Sequence, residues 1–551
     1  MAGFWMTVST PLVGTVNLYA DTMLLLTDGS VLVHQLYLAP DPTTQYPGLD
    51  GSVWMRLAPD SAGNYIPGIW TGPFKMNTQR EDFASGIMAD GRVYVVGGEY
   101  SSAGGDTPLG EIFDPVQKVW SPINKPSTFD YIQGDIASSG LADGRVLFGS
   151  LSTPQSVVWN PAQNTWKEVG TGTKDGTTDE ETWTLLPDGS VLTVEVTPST
   201  GNKTTNPSER YVPDGKPDGD GRWVPAGSTG QPLVVSKIDC TYTPNSNPPQ
   251  TQSVDVSEIG PALVLPDGRL FAIGATGYTA IYSPNTNAWA PGPSFPGDTS
   301  GNTFTDAAGN TCAWTSPAGL QGAADAPAMQ LPGGQVLCCA GNFQPSTVGN
   351  NYIELDDRGN VKSFFNFPTN FYEYDPAQNA LVSIPGPPGM GDNWTWTGRL
   401  LLLPNGQVLY SANNTMLAFY QPSAAELTPA VARPTITNFG SADFPSTLTI
   451  GKTFKLAGQN LNGFSQANSY GDDAQMATNF PLVRVKNSST QAVVYLRTSN
   501  FSSLGVAVAG PVTCEVAVSG EGLTAGTWEL VVVANAVPSL PVTVQIGQPT
   551  A

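Results

Sequence analysis

Short apolar runs alternate with tight turns along almost the whole chain. The clearest unit is Met88-Ala-Asp-Gly-Arg-Val-Tyr-Val-Val-Gly-Gly-Glu-Tyr100. It reads as a strand ending at Met88, a turn at Asp90-Gly91, a second strand from Arg92 to Val96, and a Gly-Gly break. Asp-Gly between two apolar runs signals a hairpin, because the turn needs positive φ and Gly supplies it without a steric penalty. The same turn recurs at Asp28-Gly29, Asp143-Gly144, Asp188-Gly189, Asp267-Gly268, Gly333-Gly334 and Asn405-Gly406. That makes seven turns, 45 to 79 residues apart, and a repeat of that length built from short strands predicts a propeller or another β array.

A second pattern closes each repeat: an aromatic residue, a Pro turn, then a Trp on the next strand. It is seen at Phe113 to Trp120, Trp159 to Trp166 and Tyr282 to Trp289. Tyr211 to Trp223 is a stretched version, and Phe371 to Pro376 lacks the Trp. The last repeat stops at Phe419-Tyr-Gln-Pro422, so Trp5 in the first ten residues is expected to supply its outer strand and close the ring. Thr197 to Asp220 and Ile238 to Gln252 read as long loops. The segment around Ser423 to Pro434 reads as a linker. Residues 434–549 then carry seven or eight short alternating strands, the pattern of an immunoglobulin-like sandwich. The expected class is all-β, with a seven-bladed propeller over 1–425 and an immunoglobulin-like domain over 434–551.

The inner Asp-Gly hairpin, Gly-Gly break and downstream Trp resemble the kelch repeat. The stretches Arg80 to Gly98 and Trp396 to Leu409, with Gly526-Thr-Trp-Glu-Leu-Val-Val-Val near the C-terminus, resemble the galactose oxidase and glyoxal oxidase family. The resemblance implies one copper with a Cys-Tyr radical cofactor, held by two Tyr and two His. Several of those ligands would sit eight residues before an inner turn. This chain places Asp82 and Thr397 there, Ala20-Asp21 where the family's cross-linked Cys belongs, and Gln475 after Tyr470-Gly where a His is expected. The chain has 1 His, His34, which reads as an ordinary sheet residue. Copper in this family needs two imidazoles, so no copper is expected.

Composition sharpens this picture. The formal charge is −22, from 24 Lys and Arg against 46 Asp and Glu. That disfavours a nucleic-acid partner and favours cations, or neutral sugars read by Trp and Tyr. No apolar run approaches 18 residues, so no membrane span is expected. No basic-then-apolar leader opens the sequence, while the polar, Gly- and Thr-rich, Lys-poor composition resembles secreted or cell-surface proteins. The 5 Cys show no CxxC pair and read as buried thiols, with one disulfide left open.

The position eight before each turn also carries Asp135, Glu180 and Asp325, while Glu258 and Asp21 fall one residue out of step. Together with Asp82, and with Asp472 and Asp473 overhead, these would line one end of the channel with carboxylates. Clustered carboxylates with no His or Cys suit Ca²⁺ or Mg²⁺. The same residues could instead tie blades together through backbone N–H groups. The expected function is a non-redox protein that binds a cation at this mouth. Arg80, Trp396, Thr397 and Gln475 would contact a carbohydrate, a cationic small molecule or a protein. Two alternatives stand beside it: a metal- or carboxylate-dependent lyase, hydrolase or cyclase using Asp82, Asp135, Glu180 and Asp325, and a structural surface or matrix protein.

Overall fold

The computed structural model describes residues 3–39, 48–101, 105–197, 207–216, 219–245, 248–297, 302–314, 319–348, 351–470, 476–520 and 522–548. The fold is all-β. Seven antiparallel sheets each contain four strands in meander order, and one of them gains short extra strands at its inner edge. Their first strands are Ala20–Leu25, Ala84–Ile87, Ser138–Gly140, Thr184–Leu185, Ala262–Val264, Ala328–Gln330 and Arg399–Leu402. These lie side by side around a channel, which gives a propeller-like ring, with sheets numbered here as blades 1 to 7.

The turn glycines explain why the repeat folds as it does. Gly29, Gly91, Gly144, Gly189, Gly268, Gly334 and Gly406 all have φ between 75° and 91°. The closing pair lies one residue further out than a two-residue turn would put it. Leu26 N–H donates to Ser30 and Gly29 N–H back to Leu26, and the same pair of bonds recurs at Met88, Leu141, Leu186, Leu265, Leu331 and Leu403. Each loop therefore has three residues, a type I turn followed by a left-handed glycine. In six of them the Asp or Asn side chain also accepts the N–H two residues on, at 3.0 to 3.1 Å.

The aromatic pattern marks cross-strand partners. Phe113 faces Trp120, Trp159 faces Trp166, Tyr211 faces Trp223 and Tyr282 faces Trp289. In blade 7 the strand Phe4–Ser9 pairs with Met416–Gln421 and sets Trp5 opposite Tyr420. Trp5 packs 5.0 Å from Phe371 and from Tyr420, and its Nε1–H donates to the Pro385 carbonyl at 2.9 Å. Trp5→Ala empties this seam, and the expected loss is about 3–5 kcal/mol, read as a lower unfolding midpoint in a denaturant titration.

Two expectations change. Ile238 to Gln252 is not a loop, because Val235–Thr243 and Gln250–Glu258 form a nine-residue-per-strand hairpin. With Thr303–Thr305 and Thr311–Trp314 it makes an additional four-stranded sheet between blades 4 and 6. Within Thr197 to Asp220, Pro207–Val212 is the third strand of blade 4, and residues 198–206 and 217–218 lie outside the described residues.

Residues 435–547 form a nine-stranded sheet around Leu456, Val483, Leu496, Trp528 and Val544. It sits against the turn end of the ring, where Thr498, Phe501 and Leu504 N–H donate to Thr27, Ala89 and Ala142 carbonyls. From there a segment runs into the channel. The Leu185 N–H donates to Gln466, Asn468–Ser469 pairs with Ala328 and Met329, and Tyr470 emerges beside Trp396. No helix among the described residues is long and apolar enough to cross a membrane.

Candidate cation site at the channel mouth

The residues just before the inner strands gather at the channel end opposite the turns. Glu180 precedes blade 4, Glu258 ends the inserted hairpin before blade 5, and Asp325 precedes blade 6. One carboxylate oxygen from each lies within 4.8 Å of the others. Glu180 and Asp325 adopt φ of 56° and 42°, and Asp82 has 44° at the matching place in blade 2. Residues with a Cβ rarely take this conformation, so the repeated turn holds these carboxylates at defined positions. At Glu258 the left-handed residue is Ser257, with φ 65°, which absorbs the one-residue offset in spacing.

Asp325 hydrogen-bonds Glu258, and two carboxyl groups can do so only by sharing a proton. Burial pushes the Asp325 carboxyl up, against the pull of Glu258 and the more distant Arg399 charge. Asp179 is pushed up to about 6, first by burial and then by Asp325. Glu99 is pushed up to about 7 by burial, then by the charges of Asp82, Asp106 and Asp179. Tyr100 is raised to about 12 by burial first, then by the charges of Glu99, Asp82 and Asp135.

The ring is not uniform. The trio gathers Glu180, Glu258 and Asp325, while Asp82 and Asp135 stand outside it. Asp82 faces the Arg399 guanidinium at 3.4 Å. Asp21 is buried with His34 at 3.1 Å and Arg399 at 3.7 Å; burial alone would raise its carboxyl, but the Arg399 charge and the hydrogen bond with His34 hold it well below the usual range. Glu81 completes this second, fully buried cluster, and burial followed by the Asp21 and Asp82 charges pushes its carboxyl up. His34 also contacts the Gly51 carbonyl at 2.8 Å and packs on Trp54 and Phe83, as a sheet residue would.

Arg80 is not on the mouth. It is buried inside blade 2, bound to Glu111 at 3.1 Å and to the Gly97 carbonyl at 2.9 Å. Thr397 is buried too and donates to the Trp394 carbonyl at 2.9 Å within a short 3₁₀ turn. Trp396 is half-buried, 6.2 Å from Phe365, and its neighbour Trp394 lies 5.0 Å from Phe367. Thr395 in the same turn donates to the Ala324 carbonyl, so this aromatic shelf borders the loop that carries Asp325. Asp472, Asp473 and Gln475 lie outside the described residues, which stop at Tyr470 on this segment.

Sequence reasoning missed Arg399, Glu99 and Asp179. Arg399 stands three residues after Trp396, just before an apolar run, and Glu99 directly follows the Gly-Gly break. The three converging carboxylates offer oxygen donors alone, a set that fits a hard cation.

No protein-family model matches this chain, and no curated protein does. Among solved structures, a fungal alcohol oxidase of the AA5 family in complex with copper aligns with 99% of this chain and 100% of its own, at 15% identity and a TM-score of 0.45. YCF48 bound to D1 peptide aligns with 76% of this chain and 95% of its own, at 12% identity and a TM-score of 0.39. The WD40 β-propeller domain of Doa1 aligns with 78% and 100%, at 9% identity and a TM-score of 0.40. At these values the likenesses say nothing about chemistry.

Proposed function

We propose that this chain is a non-redox, kelch-type propeller with an immunoglobulin-like domain over 434–551, which binds one Ca²⁺ or Mg²⁺ between blades 4, 5 and 6. The carrying observation is the convergence of Glu180, Glu258 and Asp325 within 4.8 Å, two of them on left-handed backbone. Hard divalent cations take six to eight oxygen ligands for Ca²⁺, and water or a ligand hydroxyl completes the shell that three carboxylates begin. The aromatic shelf of Trp394, Trp396, Phe365 and Phe367 beside it suits a carbohydrate face or a cationic group.

The test is metal content by plasma mass spectrometry together with calorimetric titration of Ca²⁺ and Mg²⁺ into chelator-treated protein. About one ion per chain is expected. Saturation at 100 times Kd stabilises the fold by about 2.7 kcal/mol, so the melting temperature falls on chelation. Glu258→Gln should weaken binding at least about tenfold. Affinity should rise from pH 5 to pH 8, because the ion displaces the proton shared by Glu258 and Asp325 and gains from ionisation of Glu99 near 7. Neither ion binding, with no change on chelation, would sink this reading.

One observation favours a second reading. Glu99 near 7 and Asp179 near 6 are carboxyls suited to proton transfer at neutral pH. In a metal-dependent lyase, hydrolase or cyclase, Glu99→Gln would abolish turnover while weakening cation binding without abolishing it.

A further inference from the structure

The sheet inserted between blades 4 and 6 carries two of the chain's 5 Cys on neighbouring strands. Cys240 lies on Val235–Thr243, opposite Trp314, and Cys312 lies on Thr311–Trp314, opposite Tyr242. The strand Thr311–Trp314 steps two residues from Trp314 to Cys312, so both sulfurs stand on one face of the sheet. They are a diagonal cross-strand pair, and both side chains are wholly buried in one cluster with Tyr242, Trp314 and Phe343. Diagonal partners stand further apart than directly opposite ones, yet here the two thiols already hydrogen-bond to each other. Cys338, Cys339 and Cys514 lie in other clusters.

We propose that Cys240 and Cys312 form a disulfide as this sheet assembles. The bond would staple the hairpin that ends at Glu258 to the strands that lead on toward Asp325. The oxidant is a small-molecule disulfide of the glutathione class. The Cys240 thiolate attacks one of its sulfurs, forms a mixed disulfide and releases one thiol. The Cys312 thiolate then attacks the Cys240 sulfur, closes the bond and releases the second thiol. Two electrons pass from the protein sulfurs to the reagent, and the two protons end on the released thiols. The burial of both sulfurs places the exchange during folding rather than after it.

The full chain is refolded in a mixture of oxidised and reduced glutathione, denatured, alkylated and weighed intact. Three alkylated thiols are expected, rising to all 5 after reduction, with a peptide map joining Cys240 to Cys312. Five alkylated thiols after oxidising refolding would overturn the proposal, as would a linkage between any other pair. Cys240→Ser with Cys312→Ser should show three alkylated thiols in either condition, and loss of a further pair in that variant would also overturn it.

Discussion

Lys174→Met is expected to lower the stability of the chain by about 3–5 kcal/mol, the cost of leaving buried carboxylates without their cation. Lys174 Nζ is enclosed, with Glu195 at 2.6 Å, Glu181 at 3.0 Å and Glu209 at 3.3 Å, all from the blade 4 segment. The ammonium also donates to the Asp175 carbonyl and lies 5.3 Å from the Trp223 ring centre. Burial and the neighbouring Glu181 charge push the Glu195 carboxyl up, against the pull of Lys174. Burial alone would lower the Lys174 ammonium, but three glutamates outweigh it and hold it above its ordinary value. Its stabilisation is therefore complete at neutral pH and is lost only as pH rises beyond about 10. In the variant Glu181 and Glu195, raised by burial and no longer pulled down by Lys174, favour the protonated form in the fold more than in the unfolded chain. Stability then falls as pH climbs above about 4.3, and the deficit should be larger at pH 8 than at pH 5. Urea titrations at both values decide it. A midpoint equal to the parent at pH 8 would remove Lys174 from the account of blade 4. Replacing Lys174 and Glu195 together by apolar residues should recover part of the loss, since it deletes both partners.

Arg399→Met should separate stability from cation affinity. The guanidinium is buried between Asp21 at 3.7 Å and Asp82 at 3.4 Å, donates to the Trp396 and Gly398 carbonyls, and lies 3.8 Å from the Tyr470 ring centre. It thus joins blades 7, 1 and 2 to the segment threaded through the channel. Its removal should again cost about 3–5 kcal/mol, seen as a lower melting temperature in the chelated protein. The same change takes a positive charge away from Asp325, which Arg399 otherwise pulls toward the ionised form. A divalent ion is also freed from repulsion by that charge, which outweighs the firmer hold of Asp325 on its proton, so Ca²⁺ or Mg²⁺ should bind with equal or higher affinity and raise the melting temperature by more than in the parent. Reduced affinity in a folded variant would mean that Arg399 supports the trio rather than opposing it. Arg399→Lys should fall between the two, because an ammonium keeps the charge but not the planar fork that reaches two carboxylates.

How far the sequence carried depended on whether a signal was local. The seven turns were legible because each needs a glycine at positive φ, and Trp5 was legible as the missing partner of Tyr420 because a ring leaves no edge. Glu180 and Asp325 could be placed by counting back from those turns. What the count could not show was which carboxylates meet. Asp82 is held by Arg399, more than three hundred residues away, and Glu258 joins the trio through a hairpin whose Pro, Asn and Thr content reads as loop. Arg80 stands beside candidate ligands in sequence, yet its side chain turns inward to Glu111. Polar residues in a strand do not announce which face they take until the neighbouring blade is in position.

The pairing of Phe4–Ser9 with Met416–Gln421 sets a clock on biosynthesis. Trp5 and Tyr420 are separated by 415 positions, and at roughly 5–20 residues per second a ribosome needs about 20–80 seconds to bridge them. For that interval the outer strand of blade 7 has no sheet to join and the apolar face of Trp5 has no home. The strand Phe4–Ser9 needs shielding until Met416–Gln421 has been made. Synonymous changes that slow translation late in the message should therefore lower yield without altering a single residue.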